Sequence, residues 1–68
     1  MKYAVVVERS PTGFAAYVPD LPGCVAAGGT RAEVERLIRE AIQFHLDGLR
    51  EQGEPIPEPT TGVELVEV

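Results

Sequence analysis

One segment of this chain has the residue spacing of a helix, and it constrains what the other segments can form. Apolar side chains recur three and four residues apart over residues 34–49, with charged side chains largely on the opposite side. This pattern predicts an amphipathic helix with one face to bury. Thr30 and Glu33 match the capping box that opens such helices, and Gly53 is the predicted stop. The rest of the chain must therefore supply a second layer that covers the apolar face.

Four other segments have the composition of strands. Residues 2–8 and 14–18 are rich in β-branched and aromatic residues, and the Ser-Pro-Thr-Gly sequence at residues 10–13 predicts a type I turn between them. Residues 19–23 contain two prolines and must turn, after which residues 24–27 form a short third strand. Three prolines make residues 53–62 a stiff connector. Residues 63–68, Val-Glu-Leu-Val-Glu-Val, are predicted to be the final strand.

The resulting β-β-β-α-β order predicts a two-layer α+β fold, a single domain over residues 1–68 with one helix packed on the sheet. We expect the final strand to return parallel to the first through a right-handed crossover. A chain this short buries only about 60% of its unfolded surface, and one cysteine and one histidine supply neither a disulfide nor a zinc site. Self-association as a dimer or tetramer is therefore expected. Its predicted interface is the apolar final strand: Val63, Leu65, Val66 and Val68.

Charge and hydropathy exclude several classes of partner. Eleven acidic side chains against six basic ones give a formal charge of -5, which repels phosphate backbones, so direct nucleic-acid binding is not expected. The longest apolar runs, residues 3–7 and 14–18, are too short to span a membrane, and the first residues do not resemble a secretory signal. A cytoplasmic location is expected. The charge suits a basic protein partner, and it equally suits an acidic surface that serves only solubility.

No side chain is predicted to be catalytic, and no cofactor or metal is expected. Cys24 is predicted to be a small buried hydrophobe, and His45 lies on or beside the apolar face of the helix. Asp20 is predicted to accept hydrogen bonds from the backbone of its own turn. With Glu8 it makes at most one carboxylate pair, whereas a two-metal nuclease needs several converging acidic groups. Gly-Gly-Thr at residues 28–30 is explained by the helix cap, because no phosphate-binding motif accompanies it.

The Asp-Leu-Pro-Gly-Cys turn at residues 20–24 resembles the HicB family of antitoxins. A hairpin ending in Phe-Ala-Ala-Tyr-Val-Pro precedes this turn, and a Gly-Gly-Thr opening leads into the helix after it. The resemblance extends over nearly all of residues 1–68. It implies a reduced ribonuclease H-like sheet without catalytic carboxylates, and a domain that forms homo-oligomers. It further implies that the domain neutralises a small basic RNA-cleaving toxin of the HicA type, with partner contacts at Asp20, Leu21, Pro22 and Gly23.

Longer members of the family add a C-terminal DNA-binding module, and no such domain is expected here, so operator binding is not carried over. The alternative function is a stand-alone oligomeric domain, structural or regulatory, that binds another protein or a small ligand. A third hypothesis is a metal-dependent nuclease relic, for which the sequence offers only Glu8 and Asp20.

Overall fold

The computed structural model describes residues 1–68 and contains three strands followed by one helix. Strand β1 is Val6–Ser10, β2 is Gly13–Tyr17, β3 is Val25–Gly28, and helix α1 is Arg31–Glu51. The strands form one antiparallel sheet in the order β1-β2-β3. The predicted hairpin, third strand and helix are confirmed, although β1 begins four residues later than the composition of residues 2–8 indicated.

The β1–β2 hairpin turns where the proline and glycine predicted it. Ser10 pairs with Gly13 across the turn, and Val6 pairs with Tyr17 at the other end of the ladder. Gly13 has a φ of 152° and lies against the end of β3. A Cβ atom at this position would overlap the carbonyl oxygen of Gly28, so the turn requires glycine both for its conformation and for space.

Helix α1 is capped at both ends by the residues that the sequence indicated. The Thr30 hydroxyl accepts from the Glu33 N–H at 3.1 Å, and the Glu33 carboxylate accepts from the Gly29 N–H at 2.8 Å. Glu33 thus reaches one residue beyond the cap itself, a variant of the usual reciprocal pair. Gly53 follows the helix with a φ of 69°, as a helix-ending glycine does. The chain has no helix long and apolar enough to span a membrane.

The core lies between the helix and two of the three strands. Its buried side chains come from β2, the turn after it and α1: Ala16, Val18, Leu21, Cys24, Val34, Ile38 and Leu46. Helix α1 packs over β3 and β2, and from β1 only Val7 packs against the core. Cys24 is buried as predicted, and burial raises the pKa of its thiol. The fold is α+β with two layers. The helix covers only part of one face of the sheet, and Tyr17 and Val25 are exposed.

The prediction of a final strand at residues 63–68 is wrong for the single chain. Residues 63–68 form no strand, and their apolar side chains are exposed by 70% or more. The β-branched and apolar composition is present, but a strand also needs a neighbour for its backbone N–H and C=O groups, and no strand of the same chain lies beside it. The observed order is therefore β-β-β-α, and the expected parallel return to β1 is not formed.

Candidate partner-binding surface

The chain reverses between β2 and β3 through two successive tight turns. The Leu21 N–H donates to the Val18 carbonyl at 3.1 Å, and the Cys24 N–H donates to the Leu21 carbonyl at 3.0 Å. A third bond, from the Val18 N–H to the Cys24 carbonyl at 3.2 Å, closes the segment. Gly23 has a φ of 84° directly after Pro22, which is the pairing that a type II turn requires. The Pro-Gly sequence therefore sets the shape of this turn.

The four residues predicted to contact a partner point in different directions. Leu21 is fully buried in the core, and the Asp20 carboxylate is engaged within the molecule. Pro22 and Gly23 are exposed at the tip of the turn. The turn therefore exposes its tip to solvent, while Asp20 and Leu21 hold that tip in place.

Asp20 binds two threonines that lie forty residues further along the chain. Its Oδ2 atom accepts from the backbone N–H groups of Thr60 and Thr61, both at 3.0 Å. Its Oδ1 atom accepts from the hydroxyls of Thr60 at 3.1 Å and Thr61 at 2.8 Å. We call this set of four hydrogen bonds the Asp20 clamp. The prediction that Asp20 accepts from its own turn is wrong, because both of its carboxylate oxygens accept from Thr60 and Thr61, while the Leu21 and Cys24 N–H groups donate to carbonyl oxygens.

The clamp fixes the connector that follows the helix. Ile56 packs against the core, and the Tyr3 hydroxyl donates to the Pro57 carbonyl. Three prolines stiffen residues 54–61, and these attachments hold the segment against the body. Glu54 and Glu58 are exposed in this segment, and neither takes part in an ion pair. We define residues 19–23 together with residues 54–61 as the turn–connector surface.

The negative charge of the protein is concentrated after the helix. Residues 1–51 contain seven acidic and six basic side chains, so the sheet and helix are nearly neutral. Three of the four arginines in α1 are engaged in exposed ion pairs with acidic side chains of the same helix. Residues 52–68 contain four acidic side chains and no basic ones. A basic partner would therefore be attracted to the connector and the residues after it.

Replacing Asp20 with alanine is expected to release the connector. Because the variant removes every acceptor of the clamp, the amide hydrogens of Thr60 and Thr61 should exchange with solvent much faster, as measured by NMR hydrogen exchange. Asp47→Ala, which removes an exposed carboxylate paired only with Arg50, should leave both amides protected. Unchanged protection of Thr60 and Thr61 in Asp20→Ala would contradict the clamp.

The clamp should also fail in acid. Hydrogen bonds from the Thr61 backbone and hydroxyl, and then from Thr60, hold the pKa of Asp20 below its ordinary value of 3.8. Since the folded pKa is the lower one, the contribution to stability is complete above the ordinary pKa and is lost as the pH falls through the folded pKa. Protection of the two amides should thus be constant near neutrality and disappear only in strong acid.

The other candidate reactive groups do not converge. Glu8 is exposed on β1, the Asp20 carboxylate is committed to the clamp, and Cys24 is buried. His45 is half-buried on the helix. No group of three or more histidine, cysteine, aspartate or glutamate side chains is placed to hold a metal ion. What the structure does bring together is the turn and the connector.

Comparison with known proteins gives a consistent family. Residues 3–67 match the profile of the HicB-like antitoxin of bacterial toxin–antitoxin systems. An uncharacterized 14.9 kDa protein of Haemophilus phage HP1 is 40% identical over 57 residues, which are 84% of this chain and 43% of that protein. Antitoxin HicB 2 of Photorhabdus laumondii is 36% identical over an alignment of 69 positions that covers all of this chain and 50% of that antitoxin. The chain thus spans half or less of the length of these two relatives.

The fold points to the same family. A chain in the solved structure of a HicA3 and HicB3 toxin–antitoxin complex superimposes with a TM-score of 0.75 at 33% sequence identity. The match covers 88% of this chain and 70% of that one. The sequence profile, the curated relatives and the fold agree, and the chain belongs to the HicB-like antitoxin family of bacterial toxin–antitoxin systems.

Proposed function

We propose that this protein is a non-catalytic antitoxin module that binds and neutralises a small HicA-like RNA-cleaving toxin. The observation that carries the proposal is the likeness, at 33% identity, to a chain in a solved toxin–antitoxin complex, over the same fold. A module of this kind acts by covering the RNA-binding surface of its partner, so it needs no reactive side chain. The proposal includes a cytoplasmic location, because an RNA-cleaving toxin acts where cellular RNA is.

The turn–connector surface is the proposed site of toxin contact. Glu54 and Glu58 are exposed carboxylates without ion-pair partners, so they are free to meet the basic side chains of a toxin. The prolines and the Asp20 clamp hold the connector extended before any partner arrives, which reduces the entropy lost on binding. Pro22 and Gly23 contribute the rigid tip of the turn. Asp20 and Leu21 act as positioning residues behind it.

The test is the affinity of the protein for a HicA-like toxin from the same genome, measured by titration calorimetry. We expect the double variant Glu54→Lys with Glu58→Lys to bind at least about tenfold more weakly, since two contacts reverse sign and each tenfold change corresponds to about 1.4 kcal/mol. The matched control is Glu40→Lys with Glu51→Lys, which makes the same change of net charge on the exposed side of α1.

Three outcomes of this titration are informative. Weakening confined to the connector variant supports the proposed surface. Equal weakening by both variants would show that only the total charge matters, and the surface would be wrong. Absence of binding by the unsubstituted protein would overturn the antitoxin proposal and favour the alternative, an oligomeric structural or regulatory domain for another partner.

A further inference from the structure

Strand β1 and helix α1 form the two walls of an open groove. Because α1 packs over β2 and β3, it leaves a gap above β1 of about 240 Å³, lined by Val5, Val7, Arg31, Glu35, Ile38 and Arg39. The strand side contributes Val5 and Val7, and the helix contributes Ile38 together with three charged side chains. The outer edge of β1 has no strand beside it, since β2 pairs with only one of its edges. The groove is therefore open to an extended segment that adds to the sheet.

The charges along the groove are not balanced. Arg31 is paired with Glu35 at 2.9 Å, so these two side chains largely neutralise each other. Arg39 has no ion-pair partner and is exposed on the same wall. An occupant with apolar side chains and a carboxylate would satisfy this wall better than a basic segment would.

The last residues of the sequence carry the apolar side chains and carboxylates that would suit this groove. Residues 62–68, here called the tail, carry four apolar side chains together with Glu64 and Glu67, and they contain no basic residue. Leu65 is 96% exposed, and none of the tail belongs to a strand. The radius of gyration is 13.1 Å, whereas a compact domain of this length has about 11 Å. The tail therefore projects from the body with an apolar surface that a lone molecule leaves in water.

We propose that the tail of one molecule inserts into the β1–α1 groove of a second copy, and that the exchange is reciprocal. The tail would add as a fourth strand along the free edge of β1. Because alternate residues of a strand share a face, Val63 and Leu65 would cover Val5 and Val7, and Glu67 on the same face would lie toward Arg39. One two-fold dimer then covers both grooves and both tails, and this assembly is separate from toxin binding at the turn–connector surface.

In this dimer, the free edge of β1 gains the neighbouring strand that a single chain does not provide. The strand order of the sheet becomes tail-β1-β2-β3, with the tail supplied by the other copy. The Asp20 clamp fixes the base of the tail at Thr60 and Thr61, so the tail leaves the body from a defined point. Fixing that point lowers the entropy lost when the tail is captured.

The first test is the molar mass in solution, measured by light scattering after size exclusion. We expect twice the 7.3 kDa of one chain for the unsubstituted protein and a monomer for Leu65→Asp. Since Leu65 is 96% exposed in the single chain, the Leu65→Asp variant should keep the helical circular dichroism of the unsubstituted protein. Phe44→Asp is the matched control, because Phe44 is 82% exposed on α1 outside the groove, and it should remain dimeric. A monomeric unsubstituted protein, or a dimer that tolerates Leu65→Asp, would overturn the exchange.

The second test reverses the charges. Arg39→Glu should weaken the dimer at least about tenfold, because it places a carboxylate opposite the acidic tail. Combining Arg39→Glu with Glu67→Arg should restore the affinity. Weakening without restoration would show that Arg39 does not face the tail, and that arrangement of the groove would be wrong.

A cross-link then decides between exchange and closure of each tail onto its own molecule. One preparation carries Glu35→Cys and the other Glu67→Cys, while the native Cys24 remains buried. Mild oxidation of the mixture should give a disulfide-linked pair containing one chain of each kind. If instead a chain with both substitutions cross-links within itself as a monomer, the second copy is the wrong occupant. Toxin affinity is measured at another surface, so its loss and the loss of the dimer are distinguishable.

Discussion

Replacing Leu21 with alanine is expected to leave the chain largely unfolded. Leu21 has no exposed surface and lies in the turn that carries the family signature. Truncating a fully buried leucine costs about 2–5 kcal/mol, from lost burial and from the cavity left behind. A domain of this size has a total free energy of unfolding of roughly 3–10 kcal/mol. The loss is therefore comparable to the whole stability of the domain.

Urea unfolding followed by circular dichroism measures this loss. Phe44→Ala provides the comparison, because it removes a larger side chain that is 82% exposed. We expect that variant to change the free energy of unfolding by no more than about 0.5 kcal/mol. If Leu21→Ala were no more destabilising than Phe44→Ala, the signature turn would have no part in the core, and the division between its buried base and exposed tip would be wrong.

Gly13→Ala is the second substitution with a large expected effect. At a φ of 152° an alanine is strained, at a cost of about 1–3 kcal/mol. Its Cβ atom would also lie 2.9 Å from the Cα atom of Gly29 and overlap the Gly28 carbonyl oxygen, and both obstacles are backbone atoms. The end of β3 would have to move away from the hairpin. We expect a lower midpoint of urea unfolding and weaker protection of the β2–β3 amides.

Gly48→Ala is the same chemical change with the opposite expected sign. Gly48 lies inside α1, and a Cβ atom there would meet nothing within 4 Å. Alanine in a helix interior is favoured over glycine by about 0.5–1 kcal/mol, so this variant should be more stable than the unsubstituted protein. Destabilisation by Gly48→Ala, or tolerance of Gly13→Ala, would contradict the backbone geometry at these two positions.

The sequence predicted the elements whose signals are local. The hairpin follows from Pro11 and Gly13, the turn after β2 from Pro22 and Gly23, and the helix start from Thr30 with Glu33. Each of these residues acts within a few positions of itself, so its effect is visible in sequence spacing alone. The helical spacing over residues 34–49 includes Leu46, which lies four residues after Ile42 and is buried.

The long-range features could not be found in this way. Asp20 accepts hydrogen bonds from Thr60 and Thr61 across forty residues. The position of an aspartate in a turn does not indicate a hydrogen-bond donor so far along the chain. Two threonines directly after a run of prolines were the only signal. The error at residues 63–68 has a related cause, since strand composition shows that a segment can pair but not that the same chain offers an edge to pair with.

The distribution of charge over the surface could not be predicted from the sequence alone. The total of -5 suggested an acidic surface in general, whereas the helix neutralises most of its own charges in ion pairs. Since exposed ion pairs of this kind contribute only about 0.2–1 kcal/mol each, their main effect is on the surface potential. The net negative charge is thereby left on the connector and the tail, the two segments to which we assign different partners.

The central claim is that this protein acts by covering a toxin, and inhibition of RNA cleavage tests it most directly. The HicA-like toxin from the same genome is incubated with RNA while this protein is added in increasing amounts, with magnesium present. We predict that cleavage falls to zero at a stoichiometric ratio and that the protein alone cleaves nothing. Cleavage that continues at an excess of the protein, or cleavage by the protein itself that Glu8→Gln abolishes, would contradict the claim.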